Sequence, residues 1–365
     1  MRIKSLELKN FRNYDRESFV FNSGTNVLYG DNAQGKTNVL EALYLGCTTK
    51  SHKGSKDQDI IMRGMTDAHL RYVADRDGHE TTVEFHLKKQ GKKGIAIDRI
   101  PIKKSEELLG ICHVVFFSPE DLGIIRDGPD SRRRFLNMEL SQLNKIYLQY
   151  LTQYKKNLKQ RNALLRQIQD NPSLKDTIEI WNKGLVDNGI PLIRMREKFI
   201  HEINEIMEKK HEHLTGGREK VMMKYAPDVS ADSFEEKLII NQDRDIIQKT
   251  TTTGPHRDDI IFLNGDEDIR KYGSQGQKRT TALSLKLAEI DIVESKIGDK
   301  PVLLLDDVLS ELDRKRQNFL LEQIQGIQTI ITCTGLEELV ENGVGIDKSF
   351  LIENGRCKEQ IPSDT

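Results

Sequence analysis

The chain is poor in several things that usually settle a protein's class. It has one tryptophan, 6% aromatic residues and four cysteines in 365 residues. Cys47, Cys112, Cys333 and Cys357 lie far apart, with no CxxC pair and no histidine at ligand spacing beside them. A cysteine zinc site or disulfide framework is therefore not expected; four buried thiols in a reducing compartment are. Long apolar runs are missing too. Val114–Phe117 and Val302–Leu305 fall far short of the about 20 residues a membrane helix needs. The opening MRIKSLELKNFRNYD has no apolar stretch of the secretory kind, so a cytoplasmic location is the expectation. Nor does one charge dominate: 56 Lys and Arg stand against 57 Asp and Glu. Any nucleic-acid binding must come from a local basic patch.

What is present, 36% hydrophobic and 31% charged residues, builds a core under a polar surface and excludes a disordered chain. The length allows two or three domains. Ile3, Leu6 and Leu8, then Phe19–Phe21, then Val27–Tyr29 read as strands, and Val39, Leu40, Ala42 and Leu43 as a helix. Short alternating runs from about 69 to 117 predict a small, mostly antiparallel region. From Leu136 to Ile168 apolar positions follow a 4-3-4-3 rhythm, broken at Asn157 and Arg161, which predicts one long helix seam. A second helix through Ile178, Trp181 and Leu185 is expected to break at 189–191, and a third to resume at Leu192. An ordinary helical bundle accounts for these; a coiled-coil arm for a partner is the sharper alternative. Val302–Leu305 and 327–332 read as buried strands, and only the last few residues are expected to fray.

Between the strand ending at Tyr29 and its helix stands Gly30-Asp31-Asn32-Ala33-Gln34-Gly35-Lys36-Thr37, a full match to GxxxxGKT. Backbone N–H groups of such a loop and the helix N-terminus cradle phosphates, Lys36 reaches the β and γ phosphates, and Thr37 supplies a ligand to Mg²⁺. ATP and Mg²⁺ are the expected cofactors. Val302–Leu305 ends in Asp306-Asp307. Asp306 is assigned to Mg²⁺, partly through water, and Asp307 to the base that polarises the attacking water. Lys36, Asp306 and Asp307 form the expected catalytic set.

Asp306 follows Lys36 by 270 residues, too far for a small GTPase or nucleoside kinase. A large insertion is the plan of ATPases related to transporter and chromosome-maintenance proteins. Their third motif, a Ser-Gly turn before a helix, is present as Gly273-Ser274-Gln275-Gly276-Gln277, and Ser310-Glu311-Leu312-Asp313 matches their D-loop. With Leu8–Tyr14, Phe117–Leu122, Pro129–Leu136 and Gly254-Pro255-His256-Arg257-Asp258-Asp259, the chain resembles the RecF family over nearly its whole length. That resemblance implies an ATP-dependent homodimer in which Ser274, Gly276 and Gln277 of one copy contact the γ phosphate held by the other. It also sets Arg12 and Asn13 beside the nucleotide. The family acts in recombinational repair and replication restart, with DNA, RecO and RecR as partners in loading RecA.

Two departures matter. Asp307 replaces the usual Glu and is one methylene shorter, so slow hydrolysis is expected. The switch histidine of the wider class is replaced by Thr332, Cys333 or Thr334. ATP is then a clamp signal more than a fuel. Candidate DNA patches are Lys88-Lys89 with Lys92-Lys93, Lys103-Lys104, and Lys155, Lys156, Lys159 and Arg161; each is also ordinary solvated surface. Arg132–Arg134 suit either the signature lobe or an ion-pair network, and Arg257 pairs with Asp258 or Asp259 or lies near the dimer face. A transporter-coupled ATPase is the alternative reading; a small-molecule kinase leaves the Ser-Gly turn without a role.

The expected fold is α/β, a P-loop head of the ABC and SMC type with a mixed sheet and a mainly α-helical second lobe. Residues 1–117 and 300–365 are assigned to the head, with the phosphate-loop strand and the Asp306 strand as neighbours, and 118–299 to the lobe carrying the signature turn.

Overall fold

A computed structural model of the chain describes residues 1–341 and 343–360. The residues expected to fray at the end lie outside this set. Strands in chain order are β1 (Arg2–Phe11), β2 (Tyr14–Val20), β3 (Thr25–Tyr29), β4 (Asp67–Arg76), β5 (His79–Lys88), β6 (Gly94–Ile97), β7 (Ile100–Pro101) and β8 (Val114–Phe117). They continue as β9 (Val221–Ala226), β10 (Asp259–Asn264), β11 (Glu267–Asp268), β12 (Val302–Asp306), β13 (Thr329–Cys333), β14 (Lys348–Glu353) and β15 (Arg356–Gln360). The chain divides into two compact units, one of Met1–Asp121 with the segment from Glu289 onward, the other Leu122–Ala288. The second crossing falls inside the helix Gln275–Ile297.

The first unit holds two six-stranded sheets. One, β2-β1-β4-β5-β6-β7, is antiparallel throughout. Its strands alternate because one face is buried: Ala68, Leu70, Tyr72 and Ala74 point inward between half-exposed neighbours. In β1 the apolar residues Ile3 and Leu6 are three apart, out of step for a strand. A register shift between Ile3 and Ser5 absorbs the odd residue and returns both side chains to the core.

The other sheet has the order β15-β14-β3-β13-β12-β8 and is parallel except for β15. Strands covered on both faces read as unbroken apolar runs, and Val114–Phe117 and Val302–Leu305 are buried at every position. Here one expectation fails. The phosphate-loop strand β3 and the carboxylate strand β12 are not neighbours, since β13 pairs with both.

The second unit contains the helices Pro129–Leu143, Lys145–Ile168 and Ile178–Thr215 and the small antiparallel sheet β11-β10-β9. The expected single seam from Leu136 to Ile168 is two helices. Asn144 adopts an extended backbone between them, and its side chain accepts hydrogen bonds from the N–H groups of Ile146 and Tyr147, starting the second helix. The expected break at 189–191 is absent. Pro191 sits inside one 38-residue helix. Burial of Leu185, Leu192 and Ile193 on either side outweighs the lost hydrogen bond. Gly189 serves packing rather than a turn, because a Cβ there would stand 2.5 Å from Phe234. No helix among the described residues is long and apolar enough to cross a membrane.

Candidate functional site

The phosphate loop leaves the end of β3 and enters the helix Lys36–Thr48. Gly30 and Gly35 have φ of 139° and 118°, backbone positions that only glycine adopts cheaply. Gly30 is doubly constrained, since a Cβ would lie 2.5 Å from the carbonyl oxygen of Ile352 on β14. The loop is braced from outside by residues far away in sequence. Asn13 Nδ2 donates to the Gln34 carbonyl at 2.7 Å, and the Gly355 N–H donates to the same oxygen at 3.1 Å. The Asn354 N–H reaches Gln34 Oε1 at 2.6 Å, and the Tyr14 hydroxyl donates to the Gly35 carbonyl at 3.1 Å.

Lys36 is buried and folds back over its own loop. Its Nζ donates to the carbonyls of Gly30 (2.5 Å) and Asp31 (2.8 Å). Desolvation lowers its pKa, against the opposing charges of Cys333, Asp307, Asp306 and Asp31. An anion arriving in the loop offers this ammonium a better partner than two neutral carbonyls.

Thr37 Oγ1 donates to Asp306 Oδ1 at 2.8 Å, joining the first turn of the helix to the end of β12. The intervening strand contributes too. Thr332 Oγ1 donates to the same Asp306 Oδ1 at 2.8 Å and accepts from the Asp307 N–H at 3.0 Å. Thr332 thus ties both carboxylate residues to β13. Asp307 is exposed with φ of 51°, and its carboxylate accepts from Ser310 Oγ at 3.1 Å. The oxygen-only pair of Thr37 and Asp306 suits a hard cation such as Mg²⁺.

Arg12 does not point a free guanidinium at the loop. Nε and Nη2 grip the buried Glu41 carboxylate at 2.8 and 2.7 Å, Nη1 donates to the Asp59 carbonyl at 2.7 Å, and Nη2 also reaches Ser55 Oγ at 2.7 Å. Burial would raise the Glu41 pKa; hydrogen bonds from Arg12 and Ser51, with the charges of Arg12 and His52, bring it below the usual range. Glu41 sits fully buried in an apolar helix, the one sequence signal that could have exposed its partner. Asn13, by contrast, touches the loop directly. Asn32 and Ala33 complete the loop, Ala33 with φ of 64°.

Ser274, Gly276 and Gln277 belong to the second unit, at the start of the helix Gln275–Ile297. Ser274 Oγ accepts from the Gln277 N–H at 3.2 Å while Gln277 Oε1 accepts from the Ser274 N–H at 2.8 Å. This reciprocal cap fixes an exposed helix N-terminus, whose dipole favours an anion. The two arginine and aspartate stretches of this unit interlock. Arg132 grips Asp259 at 2.5 and 3.0 Å, Arg133 donates to the Asp258 carbonyl, and Asp258 pairs with Arg196 at 2.7 Å. So Arg132 and Arg133 join an ion-pair network, and Arg257 pairs with neither aspartate, reaching instead the Thr251 carbonyl at 3.5 Å.

The basic patches shrink on inspection. Arg161 is fully buried against Asp245, and Lys93 is held by the Thr49 carbonyl and Asp57. Lys88, Lys89, Lys92, Lys103, Lys104, Lys155, Lys156 and Lys159 are exposed. Of the thiols expected to be buried, Cys333 and Cys357 are half-exposed, because each lies at a strand end or outer edge of its sheet.

A phosphate loop joined through Thr37 to a carboxylate strand end that a threonine on the intervening strand braces, with a capped Ser-Gly turn in a helical insertion, defines an ATPase head of the chromosome-maintenance type. The chain matches the RecF/RecN/SMC N-terminal domain over residues 2–356. It is 56% identical to the DNA replication and repair protein RecF of Lachnoclostridium phytofermentans and 52% identical to that of Agathobacter rectalis, covering 98% of this chain and 100% and 99% of theirs. A solved RecF–ATP structure, described as a recombination mediator in the RecFOR pathway, superposes with a TM-score of 0.92 at 35% identity, covering 98% of this chain and 97% of that one. An SMC head at 16% identity and a TM-score of 0.58 shares the fold alone. The chain belongs to the RecF family.

Proposed function

We propose that this protein is an ATP-gated DNA clamp of recombinational repair and replication restart. Its first unit binds ATP through residues 30–37. Thr37 and Asp306 hold Mg²⁺, which neutralises phosphate charge when bound. Two copies close on two nucleotides, Ser274, Gly276 and Gln277 of each capping the γ phosphate held by the other. The closed pair grips gapped or junction DNA through backbone phosphates and, with RecO- and RecR-type partners, promotes loading of RecA. The observation that carries the reading is the Thr37–Asp306–Thr332 hydrogen-bond chain, which gathers one oxygen cluster from three separate parts of the sequence. The exposed Ser274–Gln277 cap supports a second anion-binding surface, of a kind that a partner's nucleotide completes.

Asp307 is the base in this reading, and its short side chain, already accepting from Ser310, makes hydrolysis slow. A slow base turns ATP into a timer: the clamp holds until hydrolysis releases it. The test is molecular mass in solution with and without Mg-ATP, for the unaltered chain and for Ser274→Arg. A doubling with ATP that the substitution abolishes supports the clamp. A monomer in every condition, with ATP bound, overturns it.

A further inference from the structure

The outer face of the antiparallel sheet carries a side-chain cluster that the nucleotide chemistry does not use. His69 on β4 and His86 on β5 are directly opposed across the strand pair, and their rings stack at 4.3 Å with 16° between planes. Asp67, two residues before His69 and so on the same face, completes the group. His69 Nε2 lies 2.9 Å from Asp67 Oδ2 and His86 Nε2 lies 3.6 Å from the same oxygen. The three ligand atoms all fall within 4.8 Å of one another. We propose that Asp67, His69 and His86 form a binding site for a borderline divalent transition ion, with Zn²⁺ as the reference metal.

Two imidazole nitrogens and one carboxylate oxygen are a donor set that Zn²⁺ accepts. Tetrahedral Zn²⁺ at about 2.0–2.1 Å from its ligands needs donors roughly 3.3 Å apart. Rotation of half-exposed side chains closes that gap without moving the strands, since backbone register already sets the two histidines opposite each other. Strand β6 places Gly94 beside His86, so no side chain fills that flank. His69, His86 and Gly94 line a groove of about 900 Å³, which leaves water access to a fourth position. In the neighbouring row Arg71 pairs with Glu7 at 2.8 Å and lies 3.5 Å from Glu84.

Metal binding requires the deprotonated forms of all three ligands. Burial, then the charges of His69 and Lys88, hold the His86 imidazole below its usual pKa, with the Asp67 charge and hydrogen bond opposing. Partial desolvation of Asp67 is outweighed by hydrogen bonds from His69 and Thr66 and by both histidines, so its carboxyl ionises readily. Lys9 on β1, opposite His69, and Lys88, opposite Asp67, oppose a dication and set a ceiling on affinity. A divalent ion competes with protons for these ligand atoms, so binding weakens as pH falls.

The experiment is calorimetric titration of the nucleotide-free full chain with Zn²⁺, with Co²⁺ as an optical probe. The expected result is one ion per chain and Co²⁺ ligand-field bands without a thiolate charge-transfer band. His69→Ala and His86→Ala should each weaken binding by at least about tenfold. Lys88→Ala should strengthen it, and Cys333→Ser with Cys357→Ser should leave it unchanged. All lie at half-exposed or exposed positions, so circular dichroism serves as the folding control. Absence of binding, binding that survives both histidine changes, or a thiolate band overturns the proposal.

Discussion

The sharpest stability test lies in the second unit, at the pair Arg161–Asp245. Both side chains are fully buried, with Nη1 2.7 Å from Asp245 Oδ2. Arg161 also holds Asn182 Oδ1 at 2.7 Å and donates to Thr251 Oγ1 at 2.8 Å, while Asp245 Oδ1 accepts from the N–H and hydroxyl of Thr252 at 2.9 and 2.7 Å. Asp245→Ala removes the only carboxylate in this network and strands a buried guanidinium with neutral partners. Such a change costs about 3–5 kcal/mol. Arg161→Met is milder, because Asp245 keeps both Thr252 donors. The double change Arg161→Met with Asp245→Leu, which leaves no buried charge, recovers most of the loss.

The readout is built in. Trp181, the one tryptophan of the chain, packs against the cluster of Leu164, Leu165, Ile168 and Ile178, so its fluorescence reports unfolding of this unit. With a urea dependence of about 2 kcal/mol per molar, Asp245→Ala should lower the fluorescence midpoint on the order of 2 M. A shift worth less than about 1 kcal/mol, or a double variant no more stable than Asp245→Ala, refutes the reasoning.

Thr332→Val keeps shape and removes the hydroxyl that links Asp306 and Asp307. Losing those bonds costs about 1–3 kcal/mol, so Mg-ATP affinity, measured by fluorescent-nucleotide titration, should fall about tenfold or more with the circular dichroism unchanged. His256 donates through Nε2 to the Thr251 carbonyl at 3.0 Å and meets the Tyr154 hydroxyl at Nδ1 at 2.7 Å. Burial lowers its pKa from 6.5, the Thr251 bond opposes and the Arg257 charge assists. Below about pH 6.5 the unfolded chain therefore takes up a proton that the folded one refuses. Stability of the second unit should drop as pH falls from there toward the lower folded value, by at most about 1.4 kcal/mol per pH unit. His256→Gln should flatten that dependence in Trp181 denaturation curves at pH 7.5 and 5.5, each set as a round test value about one unit either side of 6.5.

The sequence spoke clearly where neighbours in the chain are also neighbours in space. The phosphate loop, the Asp306 strand and the Ser274 turn are each continuous, so spacing sufficed to find them. Of the braces of the same site, Asn13 and Tyr14 lie in the Leu8–Tyr14 stretch that the sequence marks, whereas no local pattern marks residues 354 and 355. Strand order was misread for a related reason: pairing of β3 with β13 is a long-range choice that propensity does not encode. Arg161 shows the opposite failure. Beside three lysines it looked like solvated surface, yet it occupies the helix position where the apolar rhythm skipped. An interruption in a packing rhythm was the signal, and it marked a buried ion pair. At Pro191 packing on both sides overrode a local rule that ordinarily ends helices.

The position of β3 between β13 and β14 governs when the protein acquires its grip on nucleotide. Translation delivers the loop within the first 37 residues, but the strands that flank it begin only at Thr329 and Lys348. At ribosomal rates, β3 waits roughly 15 to 60 s before either neighbour emerges. Until then the Gly30 turn has no β14 carbonyl to pack against, and Asp306 has no Thr332 to hold it. A nascent or prematurely ended chain therefore carries the whole phosphate-loop sequence without a phosphate-binding site. Nucleotide occupancy then reports that β13 and β14 have paired with β3.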